Sequence, residues 1–486
     1  WASGASSGVP ASLPQTAQRA RFFRCSAGTP HLSPRWTGWL RAGSDLEIFL
    51  PTSIRRRLEH RPNLLQIVDN IGWLTVDKIL RMGVGLVISL LVARHLGPEM
   101  FGALSFALAF VGLFGPMASL GLRQIVVRDL VKEPGGMAAI LGTAAAMRLI
   151  AGLLTYGLMG GAILLLRPDD GLVTAMVIII GLMVVVQVYE IAAFWFEAQV
   201  LSKYTVLATG AAFAIFTLVR IVLLVMEAPV IAFAIATSAE AAVSACLVVA
   251  IFLRKSHRPL SIGVHRDRAR QLLRDSWPLF LSGVAIIIYM RIDQVMLGQM
   301  LDVGAVGVYS VAARISEVWY FVPTIIAASV FPALIASRER NEAEYYARLQ
   351  RLFDLLVWLA IAIAVPIMLL ATPLVTLLFG DAYREAGPIL AIHVWSGIFV
   401  FVGVASGKWY VLENRQILSL KRAVLGAVVN VGLNILLIPR MGVAGAAWAT
   451  LLSYAVAAFF ADMVTSDTRP VFRMKLRTLW PRTLWS

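Results

Sequence analysis

Apolar residues in this chain neither alternate with polar ones nor form a narrow stripe. They run on for some twenty residues at a time and stop at short polar, glycine- or proline-bearing breaks. A helix needs about 20 such residues to cross about 30 Å of hydrocarbon. The runs fall near 71–93, 101–121, 138–166, 171–191, 204–226 and 229–252, then near 277–300, 305–335, 353–378, 388–411, 419–438 and 441–463. The pattern predicts an all-α polytopic membrane protein of about twelve transmembrane helices. The alternating ten-residue segments of a membrane barrel are missing, and helices satisfy their own backbone groups inside lipid.

The longest polar break between spans, residues 254–276, reads RKSHRPLSIGVHRDRARQLLRDS and divides the spans six and six. Its second half fits two descriptions equally: a basic amphipathic helix on the inner leaflet with Leu272 and Leu273 toward lipid, or a solvated linker. LGPEMFGALSFA (96–107) aligns without gaps on LDVGAVGVYSVA (301–312), each joining the first two helices of its half. Repeats of six spans share one orientation, related by an axis along the membrane normal. The expected organisation is an N-terminal lobe (67–253), a basic linker (254–276), a C-terminal lobe (277–463) and a basic tail (464–486). Residues 1–66 precede these, rich in Ser, Gly, Pro and Arg over their first fifty and without a signal-peptide hydrophobic region. We expect a disordered extension there.

Composition agrees: 59% of residues are hydrophobic and 15% charged, against about 45–50% and 25% in soluble domains. The net charge of +15 would suggest nucleic acid were it not confined mainly to alternate loops. Arg123, Arg128 and Lys132, the basic cluster of 254–276, Arg338 to Arg351, and Arg415 to Arg422 fall on one side. The other side holds few cations and Glu99, Asp169, Asp170, Asp302, Asp381 and Glu385. Positive loops mark the cytoplasm, so both termini are expected inside and no nucleic-acid partner is expected. Cys25 and Cys246 lie far apart in sequence and supply neither a disulfide framework nor a metal motif.

The candidate chemistry is the set of charges inside the spans. A central Arg or Asp costs about 2.5–3.5 kcal/mol on an insertion scale, so such residues face a partner or a water-filled cavity. Arg81, Arg148, Arg220, Arg291 and Arg314 are the cations, and Asp77, Glu190, Glu240 and Asp293 the acids. Asp77 stands four residues before Arg81 and Glu317 three after Arg314, spacings that allow pairing on one helix. Arg148, Arg220 and Arg291 have no acid three or four positions away. Glu240 is expected to pair with Arg220 across neighbouring helices, and the alternative for all three arginines is that they are packing residues held by other helices. Arg291 and Asp293 project to nearly opposite faces and cannot neutralise each other. The first, second, seventh and eighth spans are expected to line a central cavity, because they carry Arg81, Arg291, Asp293 and Arg314.

LVARHLGPEMFGALSFA (91–107), SLGLRQIVVRDL (119–130), YMRIDQVMLGQMLDVGAVGVYSVAARISE (289–317), LLFGDAYREAGPIL (377–390) and NVGLNILLIPRMGVAGAAWATLLSY (430–454) resemble, in order, stretches of the polysaccharide flippase family. That family holds O-antigen and exopolysaccharide translocases within the superfamily of multidrug and oligosaccharidyl-lipid exporters. The resemblance implies a V-shaped, two-lobed exporter in the bacterial inner membrane. It would move an undecaprenyl-diphosphate-linked oligosaccharide from the inner to the outer leaflet by alternating access. Membrane lipids and a polysaccharide polymerase would be partners, with H+ or Na+ coupling and no other cofactor. On this reading Arg81, Arg148, Arg220, Arg291 and Arg314 form a cationic cavity for the diphosphate, and Asp293, then Asp77 and Glu240, are candidates for ion coupling.

Two other readings are open. A multidrug or metabolite antiporter of the same superfamily would share the fold, but export of organic cations calls for an acidic cavity. A membrane glycan polymerase or ligase would be an enzyme with a sizeable outer loop. The outer loops here are short, and no carboxylate pair, nucleophile–base pair or metal spacing suggests catalysis.

Overall fold

The computed structural model describes residues 62–256 and 264–478. Residues 1–61 of the expected extension, and residues 479–486 of the expected tail, lie outside the described residues; residues 62–66, expected to be disordered, are instead the first turn of a helix that leads into the first span. From Asn70 onward the chain forms one compact unit.

Among the described residues eleven helical segments are long and apolar enough to cross a membrane. The first contains two crossings. Helix α1 (Pro62–Ser119) breaks at Gly97, whose φ of 71° and ψ of 174° leave the helical region. Glycine tolerates that backbone without a Cβ penalty, and Pro98 needs no backbone donor at the first position of the next helix. About twelve crossings result. After α1 come the short α2 (Arg123–Lys132), then α3 (Met137–Leu166), α4 (Gly171–Val186), α5 (Glu190–Ala198), α6 (Ser202–Val225) and α7 (Val230–Ser256). The second half holds α8 (Arg266–Met300), α9 (Val303–Glu317), α10 (Phe321–Arg340), α11 (Glu342–Leu369), α12 (Ala371–Phe379), α13 (Ala386–His393), α14 (Ser396–Leu412), α15 (Gln416–Met441), α16 (Val443–Ala458) and α17 (Arg469–Thr478). The run expected at 353–378 thus begins earlier, at Glu342, and its last residues belong to the separate α12.

Side chains cluster differently at the two ends. Away from the basic loops one apolar core joins both halves, from Phe101, Phe106 and Phe110 of α1 to Val306 and Val311 of α9 and Phe379 of α12. At the basic end there are two cores. One packs α2, α3, α5 and α7 around Phe196 and Phe252. The other packs α11, α14 and α17 around Phe353 and Tyr410.

The link between halves at the basic end is the start of α8. The second half of the 254–276 segment is neither a separate surface helix nor a linker; it runs unbroken into the seventh span. Leu272 is fully buried against the first-half core, while Leu273 is exposed. Arg128 of α2 bridges Asp275 at 2.5 Å, and Arg268 bonds Glu133 just beyond α2. That bond holds the Glu133 carboxyl below the usual carboxylate range. The basic tail likewise docks: Lys475 of α17 is buried on Asp462.

The aligned repeat segments meet in space. A Cβ on Gly102 would lie 1.7 Å from the Val303 carbonyl oxygen, and one on Gly307 would lie 2.1 Å from that of Pro98. In the repeat alignment Gly102 matches Gly307 and Pro98 matches Val303, so each contact is the other with its partners exchanged. Local two-fold relations produce that reciprocity.

Candidate functional site

Below the glycine crossing lies a cavity of about 490 Å3, lined by α1, α8 and α9 and the turn after α9. Both crossings of α1 contribute, Arg81 from the first and Ser105 from the second. The lining therefore comes from the first, second, seventh and eighth spans, the four that carry the expected charges. Ser105 and Ser310, equivalent in the repeat, both line it. Both hydroxyls lack a hydrogen-bond partner.

Three of the five expected arginines come together here: Arg81, Arg291 and Arg314, with Glu317 beside them. They are held to different degrees. Arg81 donates through Nε to Asp77 at 2.7 Å and through Nη2 to Thr209 of α6 at 2.8 Å. Arg291 reaches Glu317 at 3.3 Å, with a third of its side chain exposed. Arg314 lies over the Phe101 ring, 5.5 Å from its centre. Among the described residues no ion pair holds Arg314; Glu317, the same-helix acid whose spacing allowed pairing with it, bonds Arg291 instead.

Arg148 and Arg220 do not line this cavity. Arg148 is 2% exposed and pairs with Glu190 at 2.9 Å. Arg220 pairs with Glu240 at 2.8 Å. Each had no acid on its own helix, and each finds one on another, as buried charges must. The Arg220–Glu240 pair is the one expected from the sequence, whereas Glu190, 42 positions from Arg148, was not anticipated as its partner. Glu240 is thereby engaged with Arg220, and Asp77 with Arg81.

Asp293 sits behind the cavity wall, 2% exposed. Its Oδ2 accepts hydrogen bonds from Tyr309 of α9 and from Thr450 of α16 at 2.6 Å. Its Oδ1 has no partner. Thr450 belongs to a buried polar chain in which its carbonyl accepts from Ser453 at 2.9 Å and Ser453 accepts from Asn430 at 3.1 Å. Asn434 donates to Asn430 at 3.1 Å, and the Asn434 carbonyl oxygen is unpaired. A carboxylate in this setting, with one bare oxygen and no cation bonded to it among the described residues, can hold a proton or a small cation. Sequence reasoning reached Asp293 through its depth in the span but missed Tyr309, Thr450 and the cavity serines. The shared Ser position of the repeat was the available signal for Ser105 and Ser310.

Residues 67–338 match the family model described as polysaccharide biosynthesis protein. The chain is 26% identical over 192 residues to the probable low-salt glycan biosynthesis flippase Agl15 of Haloferax volcanii, covering 39% of this chain and 40% of that protein. The match thus spans about two fifths of that relative's length. Among solved structures, an inward-facing multidrug resistance MATE family transporter of the MOP superfamily superposes with a TM-score of 0.65 at 16% identity, over 84% of this chain and 98% of the other. The lipid II flippase MurJ in an inward closed conformation gives 0.64 at 14% identity, over 83% and 90%. These two likenesses establish the fold.

Proposed function

The chain belongs to the polysaccharide biosynthesis protein family, and from that premise we propose that it flips a lipid-linked oligosaccharide across the membrane. The substrate in this reading is an undecaprenyl-diphosphate-linked O-antigen or exopolysaccharide repeat unit. It is moved from the inner to the outer leaflet of the bacterial cytoplasmic membrane, where a polysaccharide polymerase receives it. The basic loops, the basic end of the bundle and both termini face the cytoplasm, as positive loops do.

The observation that carries the reading is the cavity: Arg81, Arg291 and Arg314 against the single lining carboxylate of Glu317. Such a site at membrane depth attracts an anion and repels an organic cation. Guanidinium groups present paired donors that match phosphate oxygens. Arg314 makes the first contact because nothing has to be displaced from it, and Arg291 follows because its bridge to Glu317 is long. Arg81 is held by two bonds and fixes the first span beside the headgroup. The serines at 105 and 310 offer hydroxyls to phosphate or sugar.

Transport needs the cavity to open alternately to each side. Residues 67–253 and 277–463 rock as two lobes about the shared core, with the glycine crossing as the contact at the outer end. Separate cores at the basic end let the inner side part once α8 leaves α2. Asp293 is the coupling residue, its Oδ1 taking H+ or Na+. Asp77 and Glu240, tied to arginines, serve the coupling only where those pairs separate.

The test is reconstitution in vesicles with undecaprenyl-diphosphate-linked oligosaccharide on the inner leaflet, followed by its accessibility to an enzyme added outside. Protein-dependent appearance is expected. Uptake or export of an organic cation with no movement of the lipid would favour the antiporter reading and sink this one.

A further inference from the structure

The charges around the cavity do not balance the ligand assigned to it. Arg81 is neutralised by Asp77 and Arg291 by Glu317, so Arg314 supplies the net charge, a single positive one. A diphosphate diester carries a negative charge on each phosphate. Seated beside Arg314, it leaves one uncompensated negative charge in a region of low dielectric, where such a charge is costly.

Glu317 is the carboxylate placed to relieve this. It lines the cavity, whereas Asp77 is absent from the lining and bonds Arg81 at 2.7 Å. Its hold on Arg291 is the long one, 3.3 Å. A phosphate oxygen taking Arg291 away from Glu317 exposes that carboxylate to the incoming negative charge. Around Glu317 stand Arg291 and Asp293 of α8, Arg314 and Tyr309 of its own helix, Tyr320 in the turn after it and Tyr454 of α16. His393 of α13 lies behind, near Arg291 and bonded to Ser316 at 2.8 Å. The two arginines are the cations of that shell, and both are the groups the ligand recruits.

We propose that Glu317 takes up a proton when the lipid diphosphate binds, so that headgroup and proton load together. The step forms an O–H bond on the Glu317 carboxylate with a proton drawn from the buffer acid of the surrounding solution, whose conjugate base stays outside, and the Arg291–Glu317 ion pair gives way to an Arg291–phosphate pair. This rests on the function proposed above. It differs from the coupling assigned to Asp293, which is buried behind the wall and keeps its own donors, Tyr309 and Thr450.

The experiment is calorimetric titration of the purified full chain with undecaprenyl-diphospho-N-acetylglucosamine, a diester with no titration of its own near neutrality. Paired buffers of different ionisation enthalpy give the protons taken up per ligand. Wild type should take up about one, and its Kd should weaken up to tenfold per pH unit on the alkaline side, as linkage requires. Glu317→Gln should bind at least as tightly, take up none and lose the pH slope, because its cavity already carries the second positive charge. Asp293→Asn should keep the uptake. If Glu317→Gln is not recovered folded, Glu317→Asp, which retains a titrating carboxylate, must keep both the uptake and the slope.

Binding by wild type without uptake overturns the proposal and leaves the function standing. Uptake that survives in Glu317→Gln, or vanishes only in Asp293→Asn, also overturns it. No saturable binding by wild type would remove the function and this inference together.

Discussion

Alanine at Gly102 puts a methyl group where the neighbouring backbone already is. Its Cβ would sit 1.7 Å from the Val303 carbonyl oxygen and 2.8 Å from the Gly307 nitrogen. Ordinary contact lies beyond about 3.4 Å, and neither neighbour is the far end of a side chain that could swing away. The second crossing of α1 and α9 must therefore move apart, and the shared core on either side loses contact. Overpacking of this kind costs about 1–3 kcal/mol. Gly112 lies in the same helix with nothing within 4 Å of its Cβ position. There alanine gains helix propensity, about 0.5–1 kcal/mol. The two substitutions share their chemistry and their helix, so the difference of about 1.5–4 kcal/mol isolates the crossing. Thermal unfolding of the purified protein in detergent reads it: the midpoint should fall for Gly102→Ala and hold or rise for Gly112→Ala. Because Gly102 and Gly307 face one another, the double substitution should cost less than the two singles added together. Equal midpoints for the two single variants would mean that the helices do not meet at these glycines, and the argument for a reciprocal contact would go with them.

Three further outcomes are expected. Arg148→Gln and Arg220→Gln should lower membrane abundance, since each leaves a partly buried carboxylate inside a span without its partner, and an unpaired charge there is costly; normal abundance with lost transport would return both residues to the substrate path. Cysteines placed at the exposed positions 169 and 302 should react with an impermeant thiol reagent on intact cells while one at 266 stays protected, and the reverse pattern would invert the topology. Asp293→Asn should abolish the dependence of transport on the driving ion gradient and leave binding of the lipid diphosphate in place. Transport that still follows the gradient would clear Asp293 of the coupling role.

The spans could be read from the sequence because hydrocarbon imposes a length on every apolar run, whatever its neighbours. The four spans around the cavity could be read for a related reason: a charge at depth is too costly to face lipid, so charge-bearing helices turn toward one another. Pairing was legible within a helix and, across helices, for Glu240 with Arg220, where each span carries one central charge of opposite sign. The Asp77–Arg81 bridge follows from a spacing of four, while Glu190 comes to Arg148 through packing that no local pattern records. The same limit hid the fate of Leu272. Two adjacent leucines among arginines fit a lipid surface as well as a protein one, and only the fold sends Leu272 into the first-half core while leaving Leu273 outside. Arg314 illustrates the converse, since its same-helix acid is present at the right spacing but is taken by Arg291.

If the cavity holds an anionic headgroup through its arginines, Arg314 is the position to change, because no ion pair is broken with it among the described residues. Arg314→Lys and Arg314→Gln should both reach the membrane at wild-type abundance, as quantified in isolated membranes. Translocation of undecaprenyl-diphosphate-linked oligosaccharide should be partly retained by the lysine variant, which keeps the charge without the fork, and lost by the glutamine variant. Wild-type translocation by Arg314→Gln at normal abundance would mean that the arginines do not hold the headgroup.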